Sequence, residues 1–354
     1  MELSRTIDSD KRYYLNENTI ENAVSFLQTM RVFNDAKIDL YNALYDQKYL
    51  ASGPLIDHAY PVFLKEKYKT NDYYNAAVYS VASGSISSQK ELKKYYGTTI
   101  TADLKTRDEK IQMIQEALDK KKAVKNSIRI YRKDGRWITP YPRCQLKVKG
   151  LMIVLFNKTI LKLDEYERSV EADIRKLKTR LALVTEARKR KEKKLENIKN
   201  LPPECIVFGG KKLYSEKDTV GITKSVEDNK TSQKALKEWK QEFFEKRHQS
   251  MALPGRHTSK YGNFLCKYDG KDLSVTCIDG TTTVFHDFKL PRNEESFQKN
   301  FTCKPKDRQS LCYNFILKRD KENKQYLIVS VTMKLKAYEN SYYGNSAISM
   351  DINY

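Results

Sequence analysis

The chain has 354 residues, 40% hydrophobic and 31% charged, which is enough for about two domains whose cores need no disulfides. Its net charge of +21, from 66 basic and 45 acidic residues, favours a polyanionic partner over a neutral metabolite. No stretch reaches the roughly 18 uncharged apolar residues that cross a bilayer, so the sequence excludes a transmembrane helix.

The excess of positive charge is concentrated in one part of the chain. Residues 1–100 carry 12 basic and 12 acidic side chains, residues 101–200 carry 28 and 14, and residues 201–354 carry 26 and 19. Two thirds of the excess therefore lies within 100 residues. This distribution predicts one strongly positive surface, and the simpler alternative is a solvated basic helix that binds nothing.

The N-terminal third is predicted to be a short strand followed by helices. A strand around Leu3–Ile7 precedes a helix over Asn18–Tyr49, in which apolar residues recur every three to five positions. A second helix covers Thr70–Tyr96 and is expected to stop at Gly97, and a third covers Lys110–Val124. These segments indicate a small helical bundle.

The middle of the chain changes period twice. From Ser127 the apolar residues alternate, which predicts three or four strands ending in the apolar run Leu151–Phe156. Leu163–Val184 then carries apolar residues at spacings of three and four, a near-heptad stripe typical of a packed helix. Seven basic and two acidic residues follow over Arg188–Lys199, so this helix is expected to continue as a cationic rod to about Asn200.

The C-terminal part is predicted to be rich in strands. Alternating residues over Tyr261–Cys277 indicate two strands around an Asp-Gly turn. Cys312–Leu317 and Tyr326–Leu335 are two more, separated by a charged turn, and a last strand begins within Ala347–Asn353.

Most common catalytic motifs are absent from the sequence. No phosphate-binding G-x-x-x-x-G-K-[ST] or G-x-G-x-x-G, hydrolase G-x-S-x-G or zincin H-E-x-x-H occurs, and the four histidines lack ligand spacing. The six cysteines include no C-x-x-C pair, which argues against structural zinc. Because the first residues lack a secretory signal, we expect a cytoplasmic, nucleoid-associated protein with free thiols.

Two groups of basic residues interleaved with aromatic ones are the positive signal for function. Such cations bind phosphates, and each base stacked on a flat ring contributes about 1–3 kcal/mol. The alternative is core aromatics with solvated neighbours. The second group surrounds Trp239 and includes Lys240, Phe243 and Arg247. The first group comprises Arg129, Tyr131, Arg132, Lys133, Arg136, Trp137 and Arg143.

Four segments in order carry a family resemblance. FGGKKLYSEK at Phe208–Lys217 follows the basic helix and a predicted Cys205–Val207 strand. The Trp239 segment, GRHTSKYGN at Gly255–Asn263 and a final SAISMDIN come after it. Over residues 205–353 this order resembles the transposon-encoded TnpB (OrfB) proteins, which are related to the type V CRISPR effectors.

The resemblance implies RNA-guided DNA recognition, with guide RNA and target DNA as partners and base pairing as the source of specificity. It also implies an α+β fold in which a helical recognition lobe is inserted into a wedge-like β-barrel. The expected organisation is a candidate first barrel strand (1–15), the helical lobe (16–125), barrel strands (126–160), long basic helices (161–250), a β-rich wedge-like region (251–345) and the first strand of a RuvC-like domain (346–354).

The residues expected to contact nucleic acid lie in three further places besides the first basic and aromatic group. They are Arg188, Lys189, Arg190, Lys191 and Lys194 on the cationic rod, Lys211 and Lys212 in FGGKKL, and Lys240 and Arg247 in the Trp239 segment. All of them would bind the phosphate backbone rather than base edges.

The RuvC-type active site is incomplete in this chain. Asp351 matches the first metal-binding carboxylate of the family, but the later carboxylates and the C-x-x-C zinc element are missing. Because two-metal cleavage needs several carboxylates, a lone Asp351 is not expected to hold Mg²⁺ or to cut DNA. Two alternatives stay open: an N-terminal portion of an active RNA-guided endonuclease or transposase accessory protein, and a coiled-coil interaction protein using the 163–184 stripe.

Overall fold

The computed structural model describes residues 2–15, 17–50, 58–155, 157–220, 226–291 and 294–336. The chain divides into two compact units. Unit 1 comprises Met1–Ser87 and Cys205–Tyr354, and unit 2 comprises Ser88–Glu204. Helices and strands occur in both units, which confirms the α+β class. Within the described residues the strands form three open sheets and no closed barrel.

The helices occupy most of the first 250 residues. Helix α1 continues into a π-helical turn at Asp46–Leu50, and a 3₁₀ turn at Pro305–Asp307 follows α8. The helices are α1 (Ala23–Tyr45), α2 (Tyr60–Tyr68), α3 (Asp72–Asp134), α4 (Leu163–Asn200), α5 (Lys211–Ser215), α6 (Lys217–Val220), α7 (Val226–Arg247) and α8 (Glu294–Thr302).

Unit 1 contains two antiparallel sheets. The first has the order β1-β12-β11-β7, with β2 paired to β12, and the second has the order β3-β10-β9-β8. Their strands are β1 (Glu2–Asp8), β2 (Tyr13–Tyr14), β3 (Ile20–Glu21), β7 (Ser250–Leu253), β8 (Cys266–Tyr268), β9 (Leu273–Thr276), β10 (Thr282–Phe285), β11 (Cys312–Arg319) and β12 (Gln325–Lys336). The strands predicted at Leu3–Ile7, Cys312–Leu317 and Tyr326–Leu335 are confirmed.

The buried face of α1 joins the two sheets of unit 1 through aromatic rings. Phe26 lies with its ring centroid 5.2 Å from that of Phe285 on β10 and 4.9 Å from that of Phe315 on β11. Tyr13 contacts Phe285 edge to face at 5.1 Å. Because all four side chains are fully buried, this cluster contributes strongly to the core of the unit.

Asn263 cross-links three chain segments of unit 1. Its side-chain amide donates to the backbone oxygens of Leu253 and Leu311 at 2.8 and 3.1 Å. Its side-chain oxygen accepts from the backbone N–H groups of Leu265 and Cys266 at 2.9 and 3.2 Å. Asn263 is 1% exposed, so these bonds satisfy four backbone groups that water does not reach.

Unit 2 consists of the helix pair α3 (residues 88–134) and α4, with a three-stranded sheet of order β4-β5-β6. The strands of this sheet are β4 (Lys147–Lys149), β5 (Met152–Val154) and β6 (Ile160–Lys162). The core next to the sheet is a small cluster of Val124, Ile128, Ile153, Leu163 and Val170. Ile100, Ile114 and Leu118 are buried further back along α3. The predicted helix from Leu163 to about Asn200 is confirmed.

Three predictions of local structure are wrong. The helix predicted to stop at Gly97 continues to Asp134. Residues 127–134, where a strand was predicted to begin, therefore belong to this helix. The alternating apolar residues after Ser127 fit a strand or a helix. Val124 and Ile128 are both buried in the core at the i, i+4 spacing of a helix, which explains why this stretch is helical. Cys205–Val207 forms no strand. The strand predicted within Ala347–Asn353 lies outside the described residues.

We predict that the substitution Asn263→Ala lowers the free energy of unfolding by about 3 kcal/mol, because it removes four hydrogen bonds to buried backbone groups. The matched control is Asn314→Ala on β11, whose half-buried amide donates to the Thr332 hydroxyl at 3.3 Å and accepts a weak bond from the Cys312 thiol at 3.9 Å. This control is expected to cost about 1 kcal/mol. Urea denaturation of both variants measures the difference, and equal losses would contradict the structural role assigned to Asn263.

Gly97 provides a second stability test. A Cβ atom at Gly97 would meet no atom within 4 Å, so Gly97→Ala is expected to stabilise the protein by about 0.5–1 kcal/mol. Gly135 also has open space, but its φ of +66° disfavours any side chain, so Gly135→Ala is expected to destabilise. Thermal unfolding followed by circular dichroism compares the two; a destabilising Gly97→Ala would argue against a continuous α3.

Candidate nucleic-acid interface

The cations of the first basic and aromatic group lie at the end of α3 and in the loop after it, not on a strand. Arg129 and Lys133 are exposed on the last turns of α3, and Arg136 and Arg143 are exposed beyond it. None of the four forms an ion pair with another described residue. Arg132 differs, because its guanidinium pairs with Asp164 and with Glu167, the latter at 2.7 Å. Within residues 129–143 of unit 2, four exposed cations therefore have no acidic partner among the described residues.

The two aromatic residues of this group pack against the small core of unit 2. The ring centroids of Tyr131 and Trp137 are 6.3 Å apart in an edge-to-face arrangement, and both side chains are half-buried. The Tyr131 hydroxyl donates to the backbone oxygen of Gly150 at 3.2 Å. This packing supports a role in holding the loop and the sheet against α3, and contact of either ring with a base stays a prediction.

The three-stranded sheet adds cations that the motif-based reasoning missed. In its register Met152 lies opposite both Lys149 and Lys162, so these three side chains share one face of the sheet. Lys147, which is also exposed, lies two residues from Lys149 and therefore on that same face. The sequence could have indicated these lysines through the lack of acidic residues around them. Residues 120–163 contain 13 basic side chains and one acidic one, Asp134. We call this stretch the acid-poor segment.

The cationic rod on α4 is partly neutralised by α3. Arg188 pairs with Asp108, and Lys191 pairs with Asp103 at 3.0 Å, which lowers the pKa of that carboxyl group. Exposed ion pairs of this kind add little stability. They do neutralise Arg188 and Lys191, two of the cations that the sequence analysis expected to bind nucleic acid. Lys189 and Lys194 are exposed and have no ion pair with a described residue.

Arg190 also belongs to the rod, and its acidic partner lies on α4 itself. Its guanidinium is 3.3 Å from the carboxylate of Glu186, one turn earlier in the helix. The pair is mostly exposed, so a phosphate could compete with Glu186 for this guanidinium. Arg190 therefore differs from Lys191, which pairs with Asp103 on α3, and from Arg188, which pairs both with Asp108 on α3 and with Glu192 on α4 at 2.9 Å.

The structure brings the FGGKKL segment and the Trp239 segment together in unit 1. The indole N–H of Trp239 donates to the backbone oxygen of Leu213 at 2.7 Å. The Trp239 ring stacks on Phe243 with centroids 5.4 Å apart and planes at 7°. Trp239 is 9% exposed, so it holds the two segments together rather than offering a free face to a base.

The cations of these two segments remain at the surface or near it. Lys212 and Lys240 are exposed, as is Lys211. Arg247 is half-buried, with its guanidinium 5.7 Å from the centroid of the Phe243 ring. Arg247 thus contacts the ring that stacks on Trp239, and the three lysines are exposed in the same two segments.

Helix α1 supplies a cation that the sequence did not indicate. The ammonium group of Lys37 lies 5.2 Å from the ring centroid of Phe208, the first residue of FGGKKL. Burial lowers the pKa of Lys37 to about 8. The neighbouring Tyr41 hydroxyl accepts a hydrogen bond from the backbone N–H of Ile206 at 3.0 Å. Helix α1 therefore fixes the chain just before FGGKKL, although Lys37 and Phe208 are far apart in sequence.

No metal site can be assigned within the part of the chain that the structure describes. Asp351 lies outside it, and the described residues contain no group of three His, Cys, Asp or Glu side chains able to hold an ion. A search of the same residues for helices long and apolar enough to cross a membrane finds none.

Comparison with protein families, with curated proteins and with solved structures finds no match to this chain.

The two glycines of FGGKKL allow a test of this arrangement. Gly209 and Gly210 both have positive φ, but a Cβ at Gly209 would lie 2.8 Å from the Phe243 ring and 2.9 Å from Cγ of Arg247, whereas one at Gly210 meets nothing within 4 Å. We expect Gly209→Ala to cost about 2 kcal/mol more than Gly210→Ala. Chemical denaturation followed by tryptophan fluorescence measures both, and equal costs would argue against the contact between FGGKKL and α7.

Proposed function

We propose that this chain is a TnpB-like nucleic-acid-binding protein that binds a guide RNA and its DNA target and does not cleave DNA by itself. The observation that carries the proposal is the acid-poor segment of unit 2, in which nine of the 13 basic side chains form no ion pair with a described residue. The other four, Lys121, Lys122, Lys125 and Arg132, pair with acids outside the segment. A surface of this composition attracts phosphates, because binding them releases condensed counterions from the nucleic acid.

The arrangement of these cations suits recognition by backbone rather than by sequence. Arg129, Lys133, Arg136 and Arg143 come from a helix end and a loop, and the sheet adds lysines on an open face. Binding of this kind agrees with RNA-guided recognition, in which the protein holds a heteroduplex by shape and pairing reads the sequence.

The finer assignment of the fold is part of the same proposal. The two sheets of unit 1, which α1 joins, would be the wedge-like region of a TnpB-like protein. The helical recognition lobe would include α1 to α3. Asp351 would belong to the first strand of a RuvC-like domain, and Mg²⁺ would be needed only where further carboxylates complete that site.

The coiled-coil alternative is weakened by the packing of α4. Leu163 and Val170, at the start of its apolar stripe, are buried against Val124 and Ile128 of α3 within unit 2. The stripe therefore has an intramolecular partner, and a dimeric coiled coil would have to replace it.

Co-purification tests the proposal directly. The full chain is purified from its host at low salt, and the bound RNA is sequenced. We expect a discrete structured RNA whose unpaired end directs the complex to matching DNA in a filter-binding assay. A preparation free of RNA, with no salt-sensitive binding to RNA or DNA, would overturn the proposal.

Charge-neutralising variants test the surface. The quadruple variant Arg129→Gln, Lys133→Gln, Arg136→Gln, Arg143→Gln is compared with a control of the same charge change on unit 1, Lys267→Gln, Lys299→Gln, Lys318→Gln, Lys321→Gln. Each lost phosphate contact reduces the steepness of the plot of log K against log salt concentration by about 0.7–0.9. We therefore expect the slope to become shallower by about 3 in the first variant and to stay unchanged in the control. Equal losses would show that net charge alone, and not this surface, drives binding.

A further inference from the structure

Unit 2 contains a groove of about 560 Å³ between an early turn of its α3 portion and the C-terminal end of α4. We call it the Tyr96 groove. Tyr96 and Leu92 of α3 form one wall, and Leu201 and Pro202, just after α4, form the other. Tyr96 is 53% exposed, so a large part of its ring faces solvent.

The wall after α4 is held in place by side chains of α3. The Lys93 ammonium donates to the backbone oxygen of Leu201 at 2.7 Å, and the Gln89 amide donates to the backbone oxygen of Glu204. Pro202 has a fixed φ, which further restricts this segment. The groove is therefore formed without a ligand, and little conformational entropy is lost in ordering it when a ligand binds.

The chemistry of the groove combines a flat apolar surface with positive charge. Tyr96 offers an aromatic face, and Leu92 and Leu201 add aliphatic walls that are half exposed. Lys93 and Lys194 line the groove, against a single acidic residue, Glu204. Lys194 forms no ion pair with another described residue, so its charge is open to an incoming anion.

A nucleotide matches both properties, because its base is flat and largely apolar on its faces and its phosphate is anionic. An apolar protein segment would also fill the volume, but it would leave Lys194 without a counterpart. A paired base in a duplex does not expose its face to a side chain, whereas an unpaired base does. The groove therefore suits a single unpaired nucleotide.

We propose that the Tyr96 groove binds one unpaired nucleotide of the nucleic acid, with its base stacked on Tyr96 and a phosphate beside Lys194. This inference rests on the proposed function for the nature of the ligand, but it concerns residues away from the acid-poor segment. It assigns Tyr96 the stacking role for which the sequence nominated Trp137 and Trp239.

The test uses single-stranded RNA and DNA oligonucleotides carrying 2-aminopurine, with a blunt DNA duplex as a second ligand at the same salt. We expect Tyr96→Ala to weaken oligonucleotide binding between about fivefold and a hundredfold, the range for one stacked base, and to leave duplex binding unchanged. Tyr96→Phe keeps the ring and should bind like the wild type. Stacking should also quench 2-aminopurine fluorescence in the wild type but not in Tyr96→Ala.

The chain offers matched controls for both contacts. Tyr95 is 62% exposed and does not line the groove, so Tyr95→Ala should bind oligonucleotides normally. Lys194→Gln should weaken oligonucleotide binding more than Lys193→Gln, since Lys193 lies on the same helix outside the groove. Photo-crosslinking of a 4-thiouridine oligonucleotide to the wild-type protein, mapped by mass spectrometry, should give a Tyr96 adduct and needs no variant to fold.

The outcomes separate this inference from the proposed function. If the wild type binds oligonucleotide and duplex, and Tyr96→Ala binds both equally well, the groove assignment is wrong and the proposed function stands. Equal losses in Tyr95→Ala and Tyr96→Ala, or crosslinks that avoid Tyr96, also overturn it. If the wild type binds neither ligand, both the groove assignment and the proposed function fail.

Discussion

The antiparallel pairing of α3 and α4 is the contact on which unit 2 depends. Apolar contacts through Ile128 and Val170 hold the end next to the sheet. Ion pairs continue along the helices, from Lys125 with Glu171 at 2.6 Å to Lys191 with Asp103 at 3.0 Å. The sheet, the acid-poor segment and the Tyr96 groove all take their positions from this pair, so the candidate interface of unit 2 is only as well ordered as the contact between the helices.

This pairing also redistributes the charge that the sequence contains. The acids of α3 near Asp103 and Asp108 lie against the basic stretch of α4 and neutralise part of it. Near Lys133 and Lys149 there are almost no acids to do the same. Lys121, Lys122, Lys125 and Arg132 of residues 120–163 are paired with acids outside that segment, and its other nine basic side chains form no ion pair with a described residue. Those nine side chains say more about nucleic-acid binding than the high count of basic residues on α4.

Much of the fold could be predicted because its signals are local. The start of α4 at Leu163 and the two long strands before and after the charged turn follow from apolar spacing alone. The continuity of α3 could not, because Gly97 weakens a helix by only about 1 kcal/mol, and the rest of α3 outweighs that cost. The contact of Lys37 with Phe208 and the Tyr96 groove join distant segments, and no local pattern records such pairs.

Aromatic residues show most clearly why burial decides function here. Trp239 and Tyr96 both lie among basic residues, and composition alone ranks the tryptophan higher as a stacking platform. The indole of Trp239, however, is held by Leu213 on one edge and by Phe243 on one face. The ring of Tyr96 instead faces an open groove beside Lys194. A base can stack only on a face that the protein leaves uncovered, so exposure, and not the density of aromatic and basic residues in the sequence, selects the residue able to bind it.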